Sequence, residues 1–368
     1  MRKRELKNIE WVLLIVAIIL SLIGLVALFS ATQETEYEEF KKQIIWFIAS
    51  IIIMVIVMLI NYETLVKLSP IFYGISIVLL IAVLFTKPVN GATSWFDIGG
   101  FSLQPSEFAK IAVVLFLAFA ISKIQERYAE NINKPTRLLI IFAILAVPLI
   151  LIIKQPDYGT AMAFCVAVVV MLFASGIDKK YIIGALIIVC VSIPLLYNFV
   201  LPEHAKKRID IFLNPESDPR GSGYNIIQSR LAIGAGQLTG MGILKGNQTQ
   251  LGYLYPKTTD FIYSVIGEEM GFIVAGTVIV LYVTLVTKAI YIAKTAKDLT
   301  GSLVASGIAG IFLFHMTENI GMVMGLLPIT GVPLLFVSYG GSSMITSYIL
   351  IAILLNISSK RQKTIFVK

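Results

Sequence analysis

The chain alternates long apolar runs with short polar joints. The runs occupy residues 10–30, 43–60, 69–86, 106–122, 137–153, 159–177, 181–201, 260–287, 301–325 and 333–356. Each approaches or exceeds the roughly 20 residues that cross a bilayer as a helix. In lipid every main-chain polar group needs an internal partner, so an open chain crosses as helices. The pattern predicts an all-α integral membrane protein of about ten transmembrane helices, a single polytopic domain over residues 1–368. The first run follows MRKRELK, but its apolar stretch from Trp11 to Phe29 is too long for a signal core and no clear A-x-A site follows. A retained first helix is expected.

The polar joints divide into two sets. If the N-terminus is cytoplasmic, 18 of the 30 Lys and Arg residues fall on the inner side, and the short outer loops hold only Lys41, Lys42, Lys87 and Lys154. That bias predicts both termini inside. It also accounts for the +8 net charge without nucleic-acid binding. GATSWFDIGGFSLQPSE, KQPDYGT, LLPITGVP and a large extracellular loop at 202–259, between helices 7 and 8, then face outward. Within that loop NPESDPRGSGYN reads as stacked turns. NIIQSRLAIGAGQL reads as a short helix at the interface, against the plainer alternative of a solvated lid.

Composition agrees, with 57% hydrophobic residues and a mean hydropathy of +0.86. Cys165 and Cys190 lie in apolar runs, so neither a disulfide nor a thiolate metal site is expected. His204 and His315 are the two histidines, too few for a histidine metal cluster.

Candidate chemistry is concentrated at the outer boundary. Asp260 enters the outer end of the eighth helix, where an ionisable group is costly. Ser264, Gly267, Glu268 and Gly271 follow it on one helical face. Glu268 falls about 12 Å deeper, at about 1.5 Å per residue, and is expected to pair internally. Glu107 and Lys110 share a face of the fourth helix, either as cap and mutual neutralisation or as a charged cavity wall. Asp157 sits where an N-cap belongs. His315 and Glu318, one turn apart, read as an intramembrane hydrogen-bonded pair, and the glycines of SYGGSS as close helix packing. No P-loop, dinucleotide fingerprint or G-x-S-x-G elbow is present. Carboxylates Glu107, Asp157 and Asp260 with bases Lys110 and Arg208, beside a hydrophobic bundle, suit a substrate with an anionic head and a lipid tail.

The blocks NGATSWFDIGGFSLQPSEFAK, QPDYGTA, FLNPESDPRGSGYNIIQSRLAIGAG, TDFIYSVIGEEMG, NIGMVMGLLPITGVPL and FVSYGGSSM resemble, in order, the signatures of the SEDS family of shape, elongation, division and sporulation proteins. The resemblance covers residues from about 90 to 345. It implies ten membrane helices and a peptidoglycan glycosyltransferase that polymerises lipid II at the outer face of the bacterial cytoplasmic membrane. Asp260 then matches the essential aspartate, and Glu107 and Lys110 match the QPSE-x-x-K pair. Asp157, Arg208, Ser338 and Tyr339 are the further substrate-binding candidates. An α-linked donor and a β-1,4 product imply one inversion, with Asp260 as base and Lys110 or Arg208, optionally with a divalent cation (Mg or Mn), steadying the pyrophosphate. No organic cofactor is expected.

GNQTQLGY and LLPITGVPL resemble the elongation members more than the division or sporulation members. The resemblance implies a class B penicillin-binding protein as partner within a cell-wall elongation complex, in contact near the long loop and the ninth helix. Thr258 stands where many members carry His, which leaves no neighbouring histidine for a proton relay, and Pro333-Leu334-Leu335-Phe336 departs from PLPF. A lipid II flippase without bond chemistry, which would need a midplane site, and a non-catalytic scaffold are the alternatives.

Overall fold

The computed structural model describes residues 8–88, 92–99, 101–127, 132–199, 203–218 and 221–361. Most of the N-terminal basic tail, the last seven residues, Asn90 and Gly91, Leu201 and Pro202, and Pro219 and Arg220 of the turn-rich stretch lie outside them, as do the side chains of Cys190 and His204.

Among the described residues, ten helices of 17 residues or more overlie the ten apolar runs. They are α1 (Trp11–Ala31), α2 (Glu38–Leu59), α3 (Tyr62–Val83), α4 (Pro105–Arg127), α5 (Pro135–Lys154), α6 (Tyr158–Ala174), α7 (Lys179–Phe199), α11 (Ile262–Thr295), α12 (Leu299–Val323) and α13 (Gly341–Ser359). Three shorter helices, α8 (Glu203–Leu213), α9 (Ser222–Ala235) and α10 (Asn247–Gln250), lie between α7 and α11. Seven of the long helices, α1, α2, α3, α5, α11, α12 and α13, are long and apolar enough to cross a membrane. The protein is an all-helical, multi-pass membrane protein apart from one hairpin, β1 (Phe96–Ile98) against β2 (Phe101–Leu103), antiparallel with Asp97 opposite Ser102. The sequence reading left that stretch as an outer loop.

Helices α12 and α13 form the centre. Tyr348, Ile351, Leu354 and Leu355 of α13 are inaccessible, whereas Ile45, Ile48, Ile52 and Ile56 of α2 are each more than half exposed along one stripe. A soluble surface does not sustain such a stripe; lipid does. At one end of the bundle Lys288 and Arg361 meet Glu10, and Lys297 and Lys360 meet Glu63. The opposite ends of α1 and α13 adjoin the loop segments that carry Leu244 and Thr258.

Boundaries shift where polar side chains extend or stop a helix. Helix α2 begins at Glu38, earlier than its apolar run, and the Lys42 ammonium bonds Glu38 at 2.7 Å across one turn. Helix α13 begins at Gly341, eight residues later than expected, because residues 324–340 carry Pro and Gly, and several of their main-chain groups bond other segments.

The largest difference concerns α11. Its 34 residues would run about 51 Å as a straight helix, well beyond a hydrocarbon core of about 30 Å. The helix is broken at Gly271, with φ 75° and ψ −178°, so Gly271 is not on a continuous face with Asp260. The large loop closes the break. Met241 N and Gly242 N donate to the Glu268 and Glu269 carbonyls at 2.9 and 3.0 Å, and Phe272 N and Ile273 N donate to Gln237 O and Leu238 O at 2.8 and 3.1 Å. Main-chain groups freed by a break are tolerable at membrane depth when protein covers and pairs them.

Carboxylates complete the seam. Glu268 accepts from Gln248 N, Thr249 N and Thr249 Oγ1 at 2.7, 3.0 and 2.6 Å. Glu269 accepts from Gly246 N at 3.3 Å and Gln250 Nε2 at 2.8 Å. Glu268 therefore pairs internally, as expected, but with the loop. Helix α9 is the short helix expected in NIIQSRLAIGAGQL, and one face of it is packed onto the bundle. Ile226, Ser229 and Ala232 are buried against α11 and α12, and Ser229 Oγ bonds Ser264 Oγ and Val323 O.

Gly271→Ala tests the seam. A Cβ there would lie 2.2 Å from Gly240 N, and the conformation itself costs about 1–3 kcal/mol for a side-chain-bearing residue. The expected outcome is a lower melting temperature in detergent and faster proteolysis within residues 237–250; an unchanged melting temperature would show that the break does not depend on glycine.

Candidate active site

Asp260 precedes α11 and is held by its backbone. Three consecutive carbonyls each accept one bond: Thr258 O from Tyr339 N at 2.9 Å, Thr259 O from Ser338 Oγ at 2.7 Å, and Asp260 O from Asn319 Nδ2 at 3.0 Å. Ser338 Oγ in turn accepts from Leu334 N at 2.9 Å, and Gln43 ties the next turn by bonding Ser338 O and Gly340 N. Ser338 and Tyr339, expected to touch substrate, fasten the strand that presents Asp260. With the main chain fixed, the partly exposed Asp260 carboxylate lies against Gly331, whose φ of 76° brings its backbone close; a Cβ at Gly331 would sit 3.4 Å from Asp260 Oδ2.

Two charged groups act on that carboxylate. Arg208 of α8 donates to Ile329 O and Thr330 O, both at 3.3 Å, and its positive charge acts on Asp260. Burial, aided by Asp157, pushes Asp260 from 3.8 up to about 6 against the downward pull of Thr259 and Arg208. Asp157 is the N-cap of α6, as expected, accepting from Thr160 N at 3.1 Å and from Gln104 Nε2 at 2.9 Å. Burial raises its pKa as well, and Glu107 and Lys110 are within its electrostatic range.

Glu107 and Lys110 sit deeper, nearly inaccessible, paired at 2.8 Å. Thr346 Oγ1 of α13 donates to Glu107 Oε2 at 3.0 Å, and His315 Nε2 of α12 lies 2.9 Å from Lys110 Nζ. Lysine has donors only, so His315 Nε2 accepts, which leaves the ring proton on Nδ1 to bond Pro333 O at 2.9 Å. The two side chains neutralise each other, as the shared face predicts, and Thr346 and His315 extend the pair into a junction of α4, α12 and α13. His315 and Glu318 are not each other's partners, because Glu318 Oε1 accepts from Thr330 Oγ1 at 2.7 Å. An i, i+3 spacing put them on one face; the neighbouring loop supplied closer partners.

Asp260, Asp157 and Arg208 are thus brought together, with the Glu107, Lys110 and His315 cluster behind Asp157. Sequence reasoning gave no role in the site to Gln104, Asn319 or Thr346, and read His315 as a partner of Glu318 alone. The signal for two of them was available, since His315, Glu318 and Asn319 form a polar stripe at i, i+3 and i+4 on an apolar helix. A magnesium or manganese ion held wholly by protein does not fit this donor set. Among the described residues no three His, Cys, Asp or Glu side chains converge, and both Asp157 oxygens are already bonded.

A family model described as a cell cycle protein, FTSW_RODA_SPOVE, matches residues 10–363. A probable peptidoglycan glycosyltransferase FtsW of Trichlorobacter lovleyi is 37% identical over 366 residues, covering 96% of this chain and 94% of the relative. The peptidoglycan glycosyltransferase RodA of Treponema pallidum is 32% identical, with 98% and 100% covered. Among solved structures, a chain from work on structural coordination of polymerization and crosslinking by a peptidoglycan synthase complex superposes with a TM-score of 0.82 at 26% identity, covering 95% of this chain and 97% of that one.

Replacing Arg208 with Gln removes a charge that lowers the Asp260 pKa. The Asp260 carboxyl is expected to titrate above about 6 in the variant, read from carbon-13 resonances of labelled aspartate. A titration unmoved from wild type would show that Arg208 does not face Asp260.

Proposed function

We propose, because this chain belongs to the FtsW, RodA and SpoVE family of cell cycle proteins, that it lengthens glycan strands from lipid II at the outer face of the bacterial cytoplasmic membrane during cell elongation. It is a peptidoglycan glycosyltransferase. In this reading the ten long helices span the membrane with both termini inside. Support comes from the basic end of the bundle, where Lys288, Lys297, Lys360 and Arg361 gather, and from the position of Asp260 at the other end.

The observation that carries the chemistry is Asp260, a carboxylate raised to about 6, partly exposed, and held by three main-chain bonds beside a cation. A base near that value is ionised at neutral pH yet strong enough to accept a proton. Asp260 takes the proton of the acceptor 4-hydroxyl, whose oxygen forms the bond to C1 of the donor sugar. The bond from C1 to the undecaprenyl pyrophosphate breaks on the opposite face, which inverts the centre. Arg208 is the cation placed to steady the departing pyrophosphate. Lys110, assigned that role as an alternative from sequence, is committed to Glu107 and His315, so its contribution here is to hold α4 against α12. Among the described residues no protein cage for a metal is formed, and no step is routed through one.

The elongation role rests on GNQTQLGY and LLPITGVPL; relatives named FtsW and RodA both match nearly the whole chain. The first of these motifs holds α10 and the second the loop that Arg208 and Asn319 bond. A class B penicillin-binding protein is the proposed partner, supplying crosslinks to the strands made here, as polymerization and crosslinking are coordinated in the complex that contains the similar chain.

With purified lipid II and a class B partner, wild type is expected to make glycan polymer, and Asp260→Asn of equal thermal stability to lose about 10²–10⁴-fold in rate. An ionised base is required, so wild-type kcat/KM should fall as pH drops through about 6 and level off above it. Full activity in Asp260→Asn would remove the base assignment. Absence of polymer from wild type under all these conditions would favour a flippase or scaffold.

A further inference from the structure

We propose that the polar stripe His315, Glu318 and Asn319 of α12 is the positioning element of the site, seating residues 329–333 so that Asp260, Arg208 and Lys110 keep one mutual geometry. The inference rests on Asp260 as the base.

Each member of the stripe holds a different point of the same short loop. His315 Nδ1 donates to Pro333 O at 2.9 Å, Glu318 Oε1 accepts from Thr330 Oγ1 at 2.7 Å, and Asn319 Nδ2 donates to Val332 O at 2.8 Å. Three side chains at i, i+3 and i+4 of one helix therefore define the path of five loop residues. That loop carries Gly331 against the Asp260 carboxylate and offers Ile329 O and Thr330 O to Arg208.

Two members also reach past the loop to the charged groups. The second Asn319 Nδ2 hydrogen bonds Asp260 O at 3.0 Å, so one amide joins the main chain of Asp260 to that of Val332. His315 Nε2 accepts from Lys110, so one imidazole joins the ion pair of α4 to Pro333. Asn319 is inaccessible, and both of its bonds use Nδ2; Oδ1 has no partner among the described residues. The amide nitrogen, with its two protons, is thus the functional part of the side chain. Glu318 has the one task of holding Thr330. The stripe touches neither reacting sugar in the proposed mechanism, and its members are positioning residues.

A displacement of about 1 Å at reacting groups costs about 10²-fold in rate. In the full-length protein with its class B partner, Asn319→Ala is expected to lose about 10²-fold in kcat while KM for lipid II stays near wild type. The acid limb of the pH profile should also move, since Asp260 would change its distance from Arg208 and Asp157, the two charged groups that face it. His315→Gln, which can accept from Lys110 and donate to Pro333 O, should retain far more activity than His315→Leu at matched melting temperature. A wild-type kcat in Asn319→Ala overturns the proposal. So does a loss that merely follows the folded fraction with the acid limb unmoved, or equal activity in the two His315 variants. A fully active Asp260→Asn removes the base assignment and this inference with it, whereas an inactive Asp260→Asn beside a fully active Asn319→Ala removes this inference alone.

Discussion

The interruption of α11 at Gly271 is the constraint on which the rest of the structure depends. A helix that stops inside a bundle exposes carbonyls on one side of the break and amides on the other, each costly away from water. Here the loop between α7 and α11 supplies partners for both, through Gln237, Leu238, Met241 and Gly242. The loop is consequently part of the bundle, and the nine-residue piece from Ile262 to Met270 becomes a short platform with Asp260 just ahead of its first turn. Had α11 continued straight, neither the loop nor Asp260 would have a fixed place.

Buried charge follows the same logic of complete pairing. Glu268 receives three donors from the loop, and Glu107 receives Lys110 and Thr346. Lys110 shares its protons between a carboxylate and a neutral imidazole, so the junction of α4, α12 and α13 carries no net charge. Removing one member of such a set strands the others, which is worth about 3–5 kcal/mol in a buried pair. These groups consequently fix helix positions as firmly as the apolar packing around them does.

Asp260 is the exception, and in the proposed mechanism it supplies the base. Its carbonyl is held by Asn319 and its partly exposed carboxylate lies beside Arg208, in surroundings dry enough to raise its affinity for a proton. Rigidity of the main chain with freedom at the carboxylate is what a general base needs, because orientation is set before substrate arrives. Residues 329–333 connect this group to the deeper ion pair, and the short loop is where the glycosyltransferase reading and the packing of α12 meet.

Sequence alone determined the class of molecule and the identity of its chemistry. Hydrophobic run length depends only on local composition, so the ten long helices were legible, as were Asp260, Glu107, Lys110 and the N-cap Asp157. The break at Gly271 was not, because a glycine in an apolar run reads as tolerated until its φ and its neighbours are known. Nor were the partners of His315 and Glu318, which spacing along one helix paired with each other and the fold assigned to Lys110, Pro333 and Thr330. Ser338 and Tyr339 were marked by motif, but their bonds to the Thr259 and Thr258 carbonyls were not legible, since a hydroxyl or an amide acquires its partner from the carbonyl set opposite it. Partners separated by 12 to 205 residues are chosen by how helices and loops assemble, and that choice belongs to the tertiary structure.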